Sequence, residues 1–191
     1  FNNYTKLNDT VVALWATILN HVSDSRLFLK ASQFGDQTVR QGIIERFLIY
    51  GIDDKRITLE GFDSREKYFS AYQQIDIALD PFPFTGGTTT VEALWMGVPV
   101  LSLQGKSLVS RQGVGILMNV GLPNWIAKDQ DEYLTKAIIF SKNLDKLATL
   151  RSGLRKQVLA SPLFDAKQFS VDFKNALWGM WHQWLTDNNS I

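Results

Sequence analysis

A doubly wound parallel α/β sheet closed off by a helical C-terminal tail is the fold class that this sequence predicts. Two observations predict it. Short apolar runs of strand length alternate with segments of helical period as far as residue 127. Beyond residue 129 the strand-like runs stop and only helical patterns follow. Strands separated by helix-length crossovers favour right-handed βαβ units and therefore a parallel sheet.

The elements follow in order. Residues 9–22 carry Val12, Trp15, Ile18 and Leu19 at helical spacing, with Asn8 or Asp9 as N-cap. Residues 26–30, RLFLK, read as a short buried strand. Residues 36–50 form a second amphipathic helix, and Gly51 suits its left-handed C-cap. ITLEGF at 57–62 is strand-like, and Ser64 can cap a short helix running to about residue 73. IDIALD at 75–80 is the clearest buried strand and is ended by Pro81 and Pro83. A helix over 88–96, a strand over 99–103, a helix over about 110–120 and a last short strand at 125–127 complete the sheet region. The tail holds helices at 129–141, about 144–159 and about 166–184. Neither a linker nor an internal repeat divides the chain, so residues 1–191 read as one lobe with a sheet core over about 1–128 and a helical tail over about 129–191.

Composition narrows the function classes. The chain has 191 residues, 45% of them hydrophobic, enough for one α/β domain with its own core. A formal net charge of +1 offers no basic excess for nucleic acid or a membrane surface. The absence of cysteine excludes disulfides and thiolate metal sites and fits a cytoplasmic protein. No apolar run approaches the ~20 residues that span a bilayer. The opening at Phe1, in FNN, reads as part of a longer protein.

The stretch from Asp80 to Gly97, DPFPFTGGTTTVEALWMG, is the most informative. A buried strand ends, a glycine-containing turn follows, and a helix opens on three threonines. Ligands of open α/β sheets bind beyond the carboxyl ends of the strands. A helix N-terminus there offers free N–H groups and partial positive charge to an anion. Gly86 and Gly87 let a phosphate approach the backbone, Thr88 and Thr89 add hydroxyls, and Glu92 can accept from a ribose. A helix whose threonines serve only its own backbone accounts for the same pattern, so on these residues alone both readings stay open. The stretch lacks the Lys-Ser/Thr ending of a P-loop and the GxGxxG of a dinucleotide fold. His21 and His182 form no constellation, and Trp178, Trp181 and Trp184 have the spacing of helix packing.

Several blocks, in order, resemble the C-terminal catalytic lobe of the protein O-GlcNAc transferase family. They are FNNYTK at 1–6, the long run from 75 to 103, GKSLVSR at 105–111, SPLFD at 161–165 and the aromatic MWHQW at 180–184. The resemblance covers nearly the whole chain and implies a Rossmann-like lobe, the C-terminal half of a glycosyltransferase-B fold. It assigns Lys6 to the UDP diphosphate, where an ammonium helps the leaving group depart. It places Asn3 near the same diphosphate, Thr88 and Thr89 on the phosphates, and Glu92 on the ribose. Arg65 matches a lysine beside the uracil and Tyr68 a histidine of the same pocket. Gly87 stands where some members carry a histidine, so any contact by that histidine is missing. Arg111 lies near the same carboxyl edge, facing the donor or acceptor groove.

The resemblance further implies an inverting transfer of N-acetylglucosamine from UDP-GlcNAc to serine or threonine hydroxyls of proteins, with neither metal nor cofactor. A second catalytic lobe and tetratricopeptide repeats usually precede such a lobe. On that view these residues bind UDP weakly and transfer nothing alone. The alternatives are a lobe for another nucleotide sugar or acceptor, a generic Rossmann-like nucleotide binder, and a degenerate lobe kept for protein interaction.

Overall fold

The computed structural model of the chain describes residues 1–188. Residues 189–191, the end of the predicted tail, lie outside the described residues.

Five short strands, all in parallel pairs, form two ladders. β1 (Leu27–Lys30) pairs with β2 (Ile57–Glu60), in register from Leu27 opposite Ile57 to Lys30 opposite Glu60. β3 (Ala78–Leu79), β4 (Val100–Leu103) and β5 (Ile126–Ala127) form the second ladder in that order. Each parallel step is made by a helical crossover. α2 (Gln37–Leu48) joins β1 to β2, α4 (Thr88–Trp95) joins β3 to β4, and α5 (Gln112–Asn119) joins β4 to β5. The short α3 (Arg65–Ser70) follows β2.

The single expected sheet is thus interrupted between β1 and β3. An open cavity of about 860 Å³ lies there, lined by Leu27, Leu29, Ile77, Leu79 and Trp15 among others. This explains why the run at 75–80, the clearest buried strand in the sequence, is only half-buried and pairs over just two residues. Its backbone is held by β4 on one edge and faces the cavity on the other.

Local chemistry sets the helix boundaries as expected. Asn8 caps α1 (Asp9–His21) by accepting the Val11 N–H at 3.0 Å, and the helix buries Val11, Val12, Trp15, Ile18 and Leu19. Asp36 caps α2 by accepting from Thr38 at 2.7 Å. Gly51 (φ 77°), Gly97 (φ 77°) and Gly121 (φ 74°) are left-handed, where a Cβ is disfavoured. α6 (Gln130–Lys142) packs on β4, β5 and α1, while α7 (Leu144–Leu159) packs on α4 and α6. Leu94, Leu101, Leu117, Tyr133 and Leu154 fill the space between. α8 (Ala166–Asn188) runs about four residues further than expected, and its residues are exposed throughout except Leu185. Among the described residues, no helix is long and apolar enough to cross a membrane.

Candidate functional site

The carboxyl end of β3 opens into a loop folded over a buried acid. The Asp80 carboxylate accepts the Gly86 N–H at 2.6 Å through Oδ1 and the Ser102 hydroxyl at 2.7 Å through Oδ2. The Tyr133 hydroxyl donates to the Asp80 carbonyl at 3.1 Å. Burial pushes the Asp80 carboxyl up to about 7, against the opposing pull of Ser102, Gly86 and Lys6. A Cβ on Gly86 would lie 2.5 Å from Thr90 Oγ1 and 2.8 Å from Thr89 Oγ1, so any larger residue must push these hydroxyls aside.

The loop delivers the chain to α4, with Gly87 as N-cap and no side-chain cap. The N–H groups of Gly87, Thr88 and Thr89 have no hydrogen-bond partner among the described residues. Thr88 is exposed and its hydroxyl is likewise unengaged. Unused donors at the positive end of a helix dipole make an anion site. Gly86 differs from its expected role in one respect. Its N–H is taken by Asp80, so the donors open to a ligand begin at Gly87.

Lys6 reaches this helix end from the N-terminal segment. It closes a single 3-10 turn, Tyr4–Lys6, capped by Asn3, which accepts the Thr5 N–H at 3.0 Å. The Lys6 ammonium donates to the Thr85 carbonyl at 3.1 Å and to Asn2 Oδ1 at 3.0 Å, and lies 4.3 Å from the centre of the Phe84 ring. The same Asn2 oxygen accepts the Thr89 hydroxyl at 3.2 Å. Asn8 fastens the segment by donating to the Phe82 carbonyl at 2.7 Å. Two of the three ammonium protons are used, which leaves one for a ligand. Burial draws the Lys6 pKa down, and the Asp80 charge opposes that shift.

A groove of about 460 Å³ adjoins the helix end. Asn2, Asn3, Arg65, Tyr68 and Glu92 are among the residues that line it. Asn3 is exposed and also accepts from Gln33 Nε2 at 3.3 Å. The Arg65 guanidinium sits 5.4 Å from the Phe69 ring. The Tyr68 hydroxyl donates to Glu92 Oε2 at 2.7 Å, which leaves the other carboxylate oxygen for a ligand hydroxyl. Burial, aided by Glu92, pushes the Tyr68 hydroxyl up to about 12.

The expected residues therefore gather in two adjoining clusters, Asn3, Arg65, Tyr68 and Glu92 in the groove and Lys6, Gly86, Gly87, Thr88 and Thr89 at the helix end. Arg111 stands apart. Its guanidinium donates to the Gly105 carbonyl at 3.3 Å and does not line the groove. Sequence reasoning passed over Asn2, which bridges Lys6 and Thr89, because adjacent asparagines differ only in the way the turn aims them. It also passed over Asp80, whose position where the strand meets the Pro-rich turn was the available signal.

Comparison with known proteins gives these clusters a family. Residues 1–173 match the model of glycosyl transferase family 41. The chain is 36% identical over 185 residues to a probable UDP-N-acetylglucosamine–peptide N-acetylglucosaminyltransferase SPINDLY of Petunia hybrida, covering 96% of this chain and 20% of that protein. It is 30% identical, with the same coverage of this chain and 16% of the relative, to the UDP-N-acetylglucosamine–peptide N-acetylglucosaminyltransferase of Caenorhabditis elegans. A solved mutant O-GlcNAc transferase of Thermobaculum terrenum superposes with a TM-score of 0.91 at 32% identity, over 96% of this chain and 35% of the other. The chain thus spans about a fifth or less of the length of these curated relatives and about a third of the solved one. A family model that matches from Phe1 into the first two turns of α8, together with this superposition on a glycosyltransferase-B fold, shows that the chain belongs to glycosyl transferase family 41, as a C-terminal catalytic lobe of the O-GlcNAc transferase type.

Proposed function

We propose that this chain is the donor-binding lobe of an inverting glycosyltransferase that moves N-acetylglucosamine from UDP-GlcNAc to serine or threonine hydroxyls of proteins, in the cytoplasm and without a metal or cofactor. The observation that carries the reading is the bridge from Lys6 through Asn2 to Thr89. It sets an ammonium beside three unused backbone N–H groups at one helix end. A diphosphate fits that arrangement. The adjoining groove, with Glu92 for ribose hydroxyls and Arg65 and Tyr68 for a base, has the chemistry for the nucleoside.

In the proposed reaction the acceptor oxygen bonds to the anomeric carbon from the face opposite UDP. The bond from that carbon to the phosphate oxygen breaks, and its electron pair leaves on UDP. The hydroxyl proton goes to a base outside these residues. Lys6 and the α4 end act where negative charge grows, so they stabilise the transition state more than the ground state. A second catalytic lobe, which holds the acceptor, and tetratricopeptide repeats, which recruit it, belong to this proposal as parts of a longer protein. The exposed aromatic face of α8 supports a neighbour of that kind.

Calorimetric titration with UDP tests the reading. The chain should bind UDP weakly. Lys6→Ala should lower affinity by at least about tenfold, the loss of one charge-assisted hydrogen bond. Thr89→Val should weaken it less. A chain that shows neither UDP binding nor a UDP-dependent thermal shift is a protein-interaction lobe instead, and sugar transfer by these residues alone rejects the division of labour. A second reading, a different donor sugar, is favoured by Gly87 and by what stands beside it.

A further inference from the structure

The φ of Gly87 is −105°, so a left-handed backbone is not what calls for glycine there. The space beside it gives a reason. A Cβ there would lie 2.8 Å from Gln112 Oε1, and the only other atom within 4 Å is the Gln112 Cδ at 3.9 Å. The absent side chain therefore leaves room for one group, the carboxamide of Gln112.

Gln112 is held firmly where it enters. It opens α5, and the next residue is locked on both sides. The Gly113 N–H donates to Thr85 Oγ1 at 3.3 Å, and a Cβ on Gly113 would run into Ser102 Oγ and Asp80 Oδ2. The first turn of α5 is thus fixed to the loop that carries Thr85 and Gly86. Yet the Gln112 side chain, half-buried, makes no hydrogen bond among the described residues. An amide with unused donors and an unused acceptor is poised beside Gly87, the residue at the amino end of α4. It is uncharged, so it adds little to binding of the diphosphate. It offers what hydroxyl or acetamido groups need, a donor and an acceptor together.

We propose that Gln112, admitted by the missing side chain of Gly87, is a specificity-determining residue that contacts the uncharged sugar of the donor. This inference rests on the donor-lobe reading. It assigns the pair a job that neither the diphosphate nor the nucleoside requires. A larger residue at 87 would displace the amide, so the two positions act as one unit.

The test compares UDP with UDP-GlcNAc and UDP-glucose by calorimetry on the 191-residue chain, unsubstituted and as Gln112→Ala, Gly87→Ala and the double variant, each checked for fold by circular dichroism. Gln112→Ala should leave UDP affinity within about twofold and weaken at least one UDP-sugar by about fivefold or more, the loss of one hydrogen bond. Gly87→Ala should reproduce that selective loss by pushing the amide aside. The double variant should be no worse than either single one, because the two changes remove the same contact. If UDP binds and both UDP-sugars keep their affinities in Gln112→Ala, or if UDP and UDP-sugars weaken in parallel, this inference fails while the donor-lobe reading stands. Additive losses in the double variant also overturn it. If the unsubstituted chain binds no UDP, the donor-lobe reading fails and takes this inference with it.

Discussion

Asp80 shows what one residue does beneath the candidate site. Its carboxylate ties the Gly86 N–H to the Ser102 hydroxyl, so the loop before α4 is shaped around a buried acid. Its folded pKa of about 7 lies above the value near 4 expected in the unfolded chain. Between those values the folded state holds more protons than the unfolded one. Stability from this group is therefore present below pH 4, falls as pH rises from about 4 to about 7, and is lost above. At 1.36 kcal/mol per unit the full effect is up to about 4 kcal/mol. Asp80→Asn keeps an acceptor for Gly86 but cannot ionise. Urea denaturation at pH 5 and pH 7.5 should show the variant gaining on the parent as pH rises. A stability difference that does not change with pH would mean that Asp80 does not titrate in this window. The sequence places Asp80 where the strand meets the Pro-rich turn, but its burial and its bonds to Gly86 and Ser102 come from the tertiary fold. Thr88, Thr89 and Glu92 stand out from the strand–turn–helix pattern itself, whereas Lys6 stands out only because its block resembles a family. Asn3 and Asn2 show the limit of that route. The resemblance points at Asn3, while the turn geometry puts Asn2 between Lys6 and Thr89.

At the scale of elements, sequence and structure agree wherever a cap or a left-handed glycine fixes a boundary. Asn8, Asp36, Ser64 and Asp129 each accept a hydrogen bond from the first turn of the helix they precede. Agreement fails where tertiary pairing decides. The apolar run at 75–80 has the composition of a central strand, but ladder partners exist on only one edge and for two residues. Periodicity reports which side chains want burial and not which edge finds a neighbour. The turn from β3 to α4 is where element geometry bears most directly on the site, and Gly86 is its tightest point. Gly86→Ala should cost about 1–3 kcal/mol, because two threonine hydroxyls and Asp80 must move to admit a methyl group. Urea denaturation measures that cost. UDP affinity should fall in the same variant, since Thr89 is one of the displaced groups. A stability unchanged by Gly86→Ala would show that Thr89 and Thr90 give way freely, and with them the preorganisation of the helix end.

For the whole molecule, the decisive feature is α8. It runs for 23 residues, about 34 Å at 1.5 Å per residue, and meets the body chiefly at the turn formed by Pro162–Phe164. Phe169, Phe173, Trp181 and Trp184 are each half or more exposed, which is unusual for side chains of this size. Some of them satisfy one another. Phe169 stacks on Phe173 at 5.8 Å and Trp181 on Trp184 at 5.2 Å, but pairs along one helix leave their outer faces wet. The spacing of Trp178, Trp181 and Trp184 in the sequence predicts packing onto a preceding lobe or the core, and among the described residues the body meets α8 chiefly at 162–164 while these tryptophans stay about half exposed. In the proposed longer protein another lobe covers that face. The 191 residues by themselves should therefore hide it against each other. Sedimentation velocity should show self-association that grows with concentration, and removing residues 166–191 should leave a monomer. The core that binds Leu94, Leu101, Leu117 and Leu154 lies outside α8, so the shortened chain should keep its cooperative unfolding. If the intact chain stays monomeric at high concentration while its tryptophans remain open to an aqueous quencher, the exposed face needs no cover and the argument for a neighbouring lobe from α8 is lost.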